Sequence, residues 1–221
     1  MARDVSQLEL NQALGAGLFI TFEGLDGTGK STQMDVLAAA LREAGYPVVT
    51  TREPGGTVIG EGVRRALLDA RHREMSARAE ALLYAAARAQ LVTEFIRPAL
   101  EAGNIVLSDR YLDSSLAYQG YGRELGTDDI ILLNMWAVEG LFPQLTIVLT
   151  MEEEVRRRRA GSPADRLESE SAAFFDRVAE GYRCLVRDHR HRMRAVDGSG
   201  TVEEVAARVR AAVQEALELF S

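Results

Sequence analysis

The chain has 221 residues, 47% of them hydrophobic and 27% charged, with a formal net charge of −7. That is enough chain for one domain with a sizeable core. The acidic balance argues against a general affinity for nucleic acid, and no apolar run approaches the length of a membrane span. A single cysteine, Cys184, excludes an internal disulfide and suits a reducing cytoplasm.

The first 17 residues, MARDVSQLELNQALGAG, are too mixed in polarity for a signal peptide. They read as an N-terminal extension (residues 1–17) ahead of a single domain spanning 18–221. The first apolar run is LFITF (18–22), followed by GLDGTGKS and the helix-like STQMDVLAAALREAG. PVVTT (47–51) is the second run. AEALLYAAARAQLVTEFIRPALEAG returns apolar residues every three or four positions and closes on Gly103, which predicts one long helix. IVLS (105–108), LTIVL (145–149) and MRAV (193–196) complete the set of short apolar runs. Between the last two lies an arginine-dense patch, RRRRAGSPADR (156–166). The final segment, TVEEVAARVRAAVQEALEL, opens on Thr201 with acids in its first turn, a helix N-terminal signature. Nearly unbroken β-branched runs indicate strands buried on both faces. Their alternation with helices predicts an α/β fold, a five-stranded parallel sheet with helices on both faces in three layers.

GLDGTGKS fits G-x-x-x-x-G-K-[ST] between a predicted strand and a predicted helix, which is the context a phosphate-binding P-loop requires. The glycines let backbone N–H groups turn toward phosphate oxygens, and the following helix adds its positive end. The expected ATP-binding set is Gly24, Leu25, Asp26, Gly27, Thr28, Gly29, Lys30, Ser31 and Thr32. Lys30 should reach the β and γ phosphates and Ser31 should hold Mg²⁺. The loop alone does not make a kinase, because motors, switches and transporters share it. At the end of the third predicted strand, DRY places an acid–base pair where such sheets bind ligands. Asp109 is a candidate for magnesium or its water, and Arg110 for bridging the phosphates of two substrates. The alternative is a surface ion pair at a strand end.

FEGLDGTGKSTQ, TREPGGT, LLYAAARAQL, SDRYLDSSLAYQG and DRLESES stand in the order and spacing of the thymidylate kinase family. The chain resembles that family, of P-loop nucleoside monophosphate kinases, in the bacterial type with lid arginines. The resemblance implies transfer of the γ-phosphoryl of ATP to dTMP with Mg²⁺, giving dTDP for dTTP biosynthesis. It also implies a homodimer packed through helices.

On the residues alone, Tyr84 is core and Arg88 a surface charge; the resemblance has Tyr84 stack on thymine and Arg88 read its O4. An arginine donor pairs with a carbonyl oxygen, whereas cytosine presents an amino donor there. By the resemblance Ser115 or Gln119 reaches the base edge and Tyr118 crowds the 2′ side of the sugar, although Ser114 and Ser115 also suit a helix N-cap. The resemblance places Asp26 near the 3′-hydroxyl of dTMP and the metal; on the residues alone it could be a solvated turn acid. By the resemblance Glu53 belongs to a loop near the acceptor phosphate, and Arg64 is either a phosphate clamp or a surface charge.

The P-loop itself carries no arginine, so charge for the moving phosphoryl must come from elsewhere. A lid over 152–167 offers Arg156 to Arg159 and Arg166, of which Arg159 is the expected catalytic group beside Lys30, Arg110 and Asp26. The competing reading of four arginines in a row is a solvated charge run. Asp165 and Glu168 match family acids near the acceptor and metal, and DGSG (197–200) lies where the family packs adenine, though it is also a good turn. Two rivals stay in view: another deoxynucleotide or nucleoside kinase, and a non-catalytic ATP-binding switch.

Overall fold

A computed structural model describes residues 17–160 and 165–220, apart from the side chains of 157, 160 and 217–220. Of the expected N-terminal extension only Gly17 lies within the described residues, and 161–164 of the expected lid lie outside them.

Strands β1 (Leu18–Glu23), β2 (Val48–Arg52), β3 (Ile105–Asp109), β4 (Leu145–Thr150) and β5 (Met193–Asp197) form one five-stranded sheet in the order β2-β3-β1-β4-β5. Every pairing is parallel. Each expected strand is present, with at most one residue's difference at either end. The side chains of β1 divide between two cores. Leu18, Ile20 and Phe22 join Ile147 and Leu149 under α1 (Lys30–Glu43) and α9 (Val202–Phe220), while Phe19 joins Val106 and Val148 on the opposite face. Period-two alternation in a strand buried on both sides needs apolar residues at nearly every position. Truncating a fully buried one such as Ile147 would cost about 2–5 kcal/mol.

The second face carries α3 (Ala77–Leu91), α6 (Thr127–Val138) and α8 (Ala172–Asp188). α2 (Val58–Leu68) precedes α3, and the shorter α4 (Arg97–Glu101), α5 (Leu112–Ser115) and α7 (Glu153–Ala160) follow it in the chain. The long helix expected through Gly103 is interrupted: between α3 and α4, Val92–Ile96 widens into a π turn, closed by the Arg97 N–H on the Val92 carbonyl. Pro98 explains the change. It has no N–H, and its ring would press on the carbonyl four residues back. A second π segment, Leu116–Gly122, follows α5 directly.

β1 ends in a charge rather than a hydrophobe. Glu23 is completely buried and accepts the backbone N–H groups of Tyr111 (2.8 Å) and Ser114 (3.2 Å) and the hydroxyls of Ser114 (2.6 Å) and Tyr182 (2.8 Å). It therefore does from a neighbouring strand what an N-cap residue does locally for α5. Neither Ser114 nor Ser115 is the cap.

Burial, reinforced by the nearby Asp113 carboxylate, pushes the Glu23 carboxyl from 4.5 up to about 7, against the pull of Arg110, Ser114 and Tyr182. Between those values the folded chain keeps a proton that the unfolded chain has released. The carboxyl's contribution to stability thus falls as pH rises across this window, by up to about 1.4 kcal/mol per pH unit. Urea unfolding of the wild type and Glu23→Gln between pH 5 and 7 tests this. The wild type should lose stability relative to the variant as pH rises, and a difference independent of pH would contradict it.

Candidate active site

β1 runs into a loop that only glycine can shape at its first turn. Gly24 has φ 124°, and a Cβ there would stand 2.3 Å from the carbonyl oxygen of Leu149. At the far end Gly29 is left-handed (φ 95°) and α1 begins at Lys30 without a side-chain cap. The first N–H groups of α1 are thus open to an anion, with the helix's positive end behind them. The loop is braced internally by the Thr28 hydroxyl on the Leu25 carbonyl at 2.8 Å. Lys30 is buried, and its Nζ donates to the Leu25 carbonyl (3.1 Å) and Asp26 Oδ1 (3.4 Å). Burial and the neighbouring Arg110 charge pull its pKa below the ordinary lysine value, against the opposing pull of Asp26 and Asp109.

β3 delivers the other half. Asp109 Oδ2 accepts the Ser31 hydroxyl at 2.5 Å. The next residue, Arg110, has a left-handed backbone (φ 74°), a conformation uncommon outside glycine. It is held by its N–H on the Phe22 carbonyl (2.9 Å) and by Ser108 Oγ on its own carbonyl (2.7 Å). The turn aims the guanidinium back at the P-loop. One Nη donates to Asp26 Oδ1 at 2.7 Å and to the Tyr118 hydroxyl at 3.2 Å, the other to Ser114 Oγ at 3.1 Å. Burial would raise the Asp26 carboxyl, but the Arg110 and Lys30 charges outweigh it and hold it well below the ordinary carboxylate range.

Both halves open onto one cleft of about 620 Å³. Asp26 through Thr32, Glu53, Arg64, Tyr84, Asp109, Arg110, Ser115, Tyr118, Gln119 and Arg159 all line it. Gly24 and Leu25 support the loop from behind. Asp165 and Glu168 also line the cleft, and Asp165 caps the N–H groups of Leu167 and Glu168 at 2.8 and 2.9 Å. Gly198, Gly200 and Val205 lie at the end formed by β5 and α9, and Arg64 donates to the Pro54 carbonyl at 2.9 Å.

Two expected site residues are engaged with protein groups. Arg88 does not line the cleft and is only 1% exposed. Its five donors are all engaged inside the protein, on Glu53 Oε2, Ser115 Oγ, Asn134 Oδ1 and the Tyr111 carbonyl. An arginine this deeply buried needs a carboxylate, and Glu53 supplies it. Burial pushes the Glu53 carboxyl up against the pull of Arg88, and its Oε1 has no partner among the described residues. Arg159 reaches the turn after β5 rather than the P-loop, donating to the carbonyls of Gly198 (3.2 Å) and Gly200 (3.3 Å). The lid arginine on the P-loop is Arg156, which donates to the Asp26 carbonyl at 2.9 Å and is ion-paired with Glu153 at 2.7 Å.

Residues that sequence reasoning passed over support these. Glu80 holds Gln119 Nε2 (2.9 Å), Arg123 (2.9 Å) and Arg166 (2.6 Å). Asn134 and Tyr182 complete the shells around Arg88 and Arg110. The available signal was weak: a glutamate ending an apolar strand at Glu23, and an acid in the first turn of α3 at Glu80.

The family model described as thymidylate kinase matches residues 22–209. The chain is 51% identical over 197 residues to a thymidylate kinase of Leifsonia xyli, covering 88% of this chain and 93% of that one. It is 50% identical over 188 residues to a thymidylate kinase of Halothermothrix orenii, covering 83% and 90%. A crystal structure of thymidylate kinase from Ehrlichia chaffeensis superposes with a TM-score of 0.74 at 32% identity, covering 90% of this chain and 99% of that one. With the P-loop, the aspartate–arginine corner and the sheet order already in place, these likenesses leave one conclusion: the chain belongs to the thymidylate kinase family.

Proposed function

We propose that this chain transfers the γ-phosphoryl of ATP to dTMP, yielding dTDP and ADP, as a step toward dTTP. The observation that carries the reading is the single cleft in which the P-loop and the β3 corner meet, joined by Arg110 and Asp26 at 2.7 Å. ATP would lie with its phosphates on Gly27–Thr32 and its base toward Gly198–Val205. dTMP would lie between Tyr84, Tyr118 and Gln119, its phosphate facing Arg64 and Arg110.

The residues present fit a magnesium ion. Ser31 Oγ and Asp109 Oδ2 are hard oxygen donors side by side. No cluster of three or more acidic, histidine or cysteine ligands occurs among the described residues. The Ser31–Asp109 oxygen pair suits Mg²⁺, which takes one or two protein oxygens and completes its shell with phosphates and water. When bound it would neutralise charge on the β and γ oxygens.

The chain's own residues do the rest. The acceptor is already an anionic oxygen, so positioning and charge complementarity matter more than a general base. Lys30 and Arg110 supply two cations at the junction. Asp26 holds the Arg110 guanidinium in place from the P-loop side. We assign Arg159 to the donor phosphates, since it lines the cleft and its present acceptors are backbone carbonyls.

The homodimer reading rests on α6 and α3, which pack against each other. Trp136 is 84% exposed, Leu132 66%, Met135 48% and Leu82 58%, large apolar side chains on two touching helices of the kind that association covers. We also assign the chain to the cytoplasm, with residues 18–221 as a single domain. No helix among the described residues is long and apolar enough to cross a membrane.

ADP release with dTMP, dUMP, dCMP, dGMP and thymidine as acceptors tests the reaction. dTMP should be preferred, and a strong preference for dCMP or no turnover with any acceptor would overturn the reading. Lys30→Met should lower kcat by about 10²–10³-fold or more, and near-wild-type turnover would remove Lys30 from the mechanism. Trp136→Glu should convert a dimer to a monomer in sedimentation; an unchanged mass would show that α6 is not the interface.

A further inference from the structure

The guanidinium of Arg110 is held at both ends. Nη2 meets Asp26 and the Tyr118 hydroxyl, while Nη1 donates to Ser114 Oγ at 3.1 Å and to Tyr182 Oη at 3.3 Å. Those last two hydroxyls stand 3.1 Å apart and share one oxygen of a buried acid, Glu23 Oε2, at 2.6 and 2.8 Å. Ser114 lines the cleft, but neither Glu23 nor any residue of α8 among those described does so. Tyr182 therefore reaches Arg110 from a helix outside the cleft.

We infer that Tyr182 and Glu23 are positioning residues for phosphoryl transfer: Glu23 orders the Ser114 and Tyr182 hydroxyls, and these anchor Nη1 of Arg110 so that the rest of the guanidinium is presented to the phosphates. This rests on reading the cleft as a dTMP site. A carboxylate has acceptors only, a guanidinium donors only, and a hydroxyl one proton and two lone pairs. With Glu23 ionised, both hydroxyl protons point at its Oε2 and the lone pairs of both oxygens are left for Arg110. Turning either proton elsewhere would take a bond from a buried charge. Tyr182 keeps its proton, because burial and the Glu23 charge push the phenol well above its ordinary value, against the pull of Arg110. Glu23 titrates at about 7, so the arrangement is in force at pH 8.

The two ends of the guanidinium differ in what surrounds them. Asp26, the ionic partner of Nη2, is partly exposed, and Nε meets no protein acceptor among the described residues. The Nε–Nη2 edge is thus the working end, and Nη1 on its buried hydroxyls is the anchor. Without the anchor, the arginine is free to follow Asp26 toward solvent. A misplacement of about 1 Å at a reacting centre can cost about 10²-fold in rate, so the anchor matters to catalysis although neither Tyr182 nor Glu23 lines the cleft. The same two residues explain why α8 packs where it does: Tyr182 stands edge to face on Tyr118 at 6.4 Å, and the Tyr118 ring lies under the Arg110 guanidinium at 5.1 Å.

The test is Tyr182→Phe at pH 8, which deletes one hydroxyl and keeps the ring on Tyr118. Calorimetric titration compares dTMP with thymidine, which occupies the same site without a phosphate for Arg110 to meet. The ratio of dTMP to thymidine affinity should fall about tenfold, the loss expected for one hydrogen bond to a charged group, and kcat should fall with it. An unchanged ratio, including equal losses for both ligands, would mark Tyr182 as merely structural and overturn the inference; so would an unchanged kcat. If Tyr182→Phe loses its cooperative melting transition, Glu23→Gln decides. The new amide keeps its oxygen on the N–H groups of Tyr111 and Ser114 and turns its NH₂ to the two hydroxyls, so that their protons face Arg110. The same ratio must fall, and an unchanged one overturns the inference. A wild type that binds neither dTMP nor thymidine would instead sink the reading of the site itself.

Discussion

The contact between Arg110 and Asp26, 2.7 Å across the cleft floor, is the interaction on which the site depends. It joins the P-loop after β1 to the corner after β3, two segments adjacent only because the sheet pairs Phe22 with Asp109. Reaching that contact obliges Arg110 to take a left-handed backbone, at a cost of order 1–3 kcal/mol that the surroundings must over-determine. They do so from several sides. Glu23 fixes the N–H groups of Tyr111 and Ser114, Phe22 takes the Arg110 N–H, and Ser108 takes its carbonyl. The guanidinium is thereby placed before any ligand arrives, and preorganised charge is what phosphoryl transfer needs from a protein.

Around the cleft lies a second tier of largely buried charge. Arg88 with Glu53, Glu80 with Arg166, and Arg192 with Asp113 at 2.8 Å are all buried pairs. Such pairs contribute little net stability, because desolvation offsets their attraction, yet breaking one strands a buried charge. Their value here is directional. The first two have more donors or acceptors than their ionic partners need, and the surplus goes to a neutral residue lining the cleft, as Arg88 does to Ser115 and Glu80 to Gln119.

Features that depend on neighbours in the chain were the legible ones. The P-loop could be read because glycines, lysine and serine at fixed spacing define their own geometry, and the five strands because burial on both faces leaves an unbroken apolar signature. What failed depended on distant partners. Whether Arg88 faces a ligand or the interior is decided by Glu53, 35 residues away. Ser114 and Ser115 suit an N-cap, but Glu23, 91 residues from Ser114, occupies that function. Four consecutive arginines look equivalent until the fold sends Arg156 to the Asp26 carbonyl and Arg159 to the turn after β5. The π turn before Pro98 was available in principle, since proline in a helix demands some accommodation; the residues do not say which form it takes.

The central claim is that donor and acceptor nucleotides lie end to end in one cleft, meeting at Lys30 and Arg110. Calorimetric titration with adenosine and thymidine joined by a chain of five phosphates tests it most directly. One molecule should bind per chain, more tightly than ATP or dTMP alone, and should abolish binding of both. A compound that displaced only one nucleotide, leaving the affinity for the other unchanged, would contradict the shared cleft.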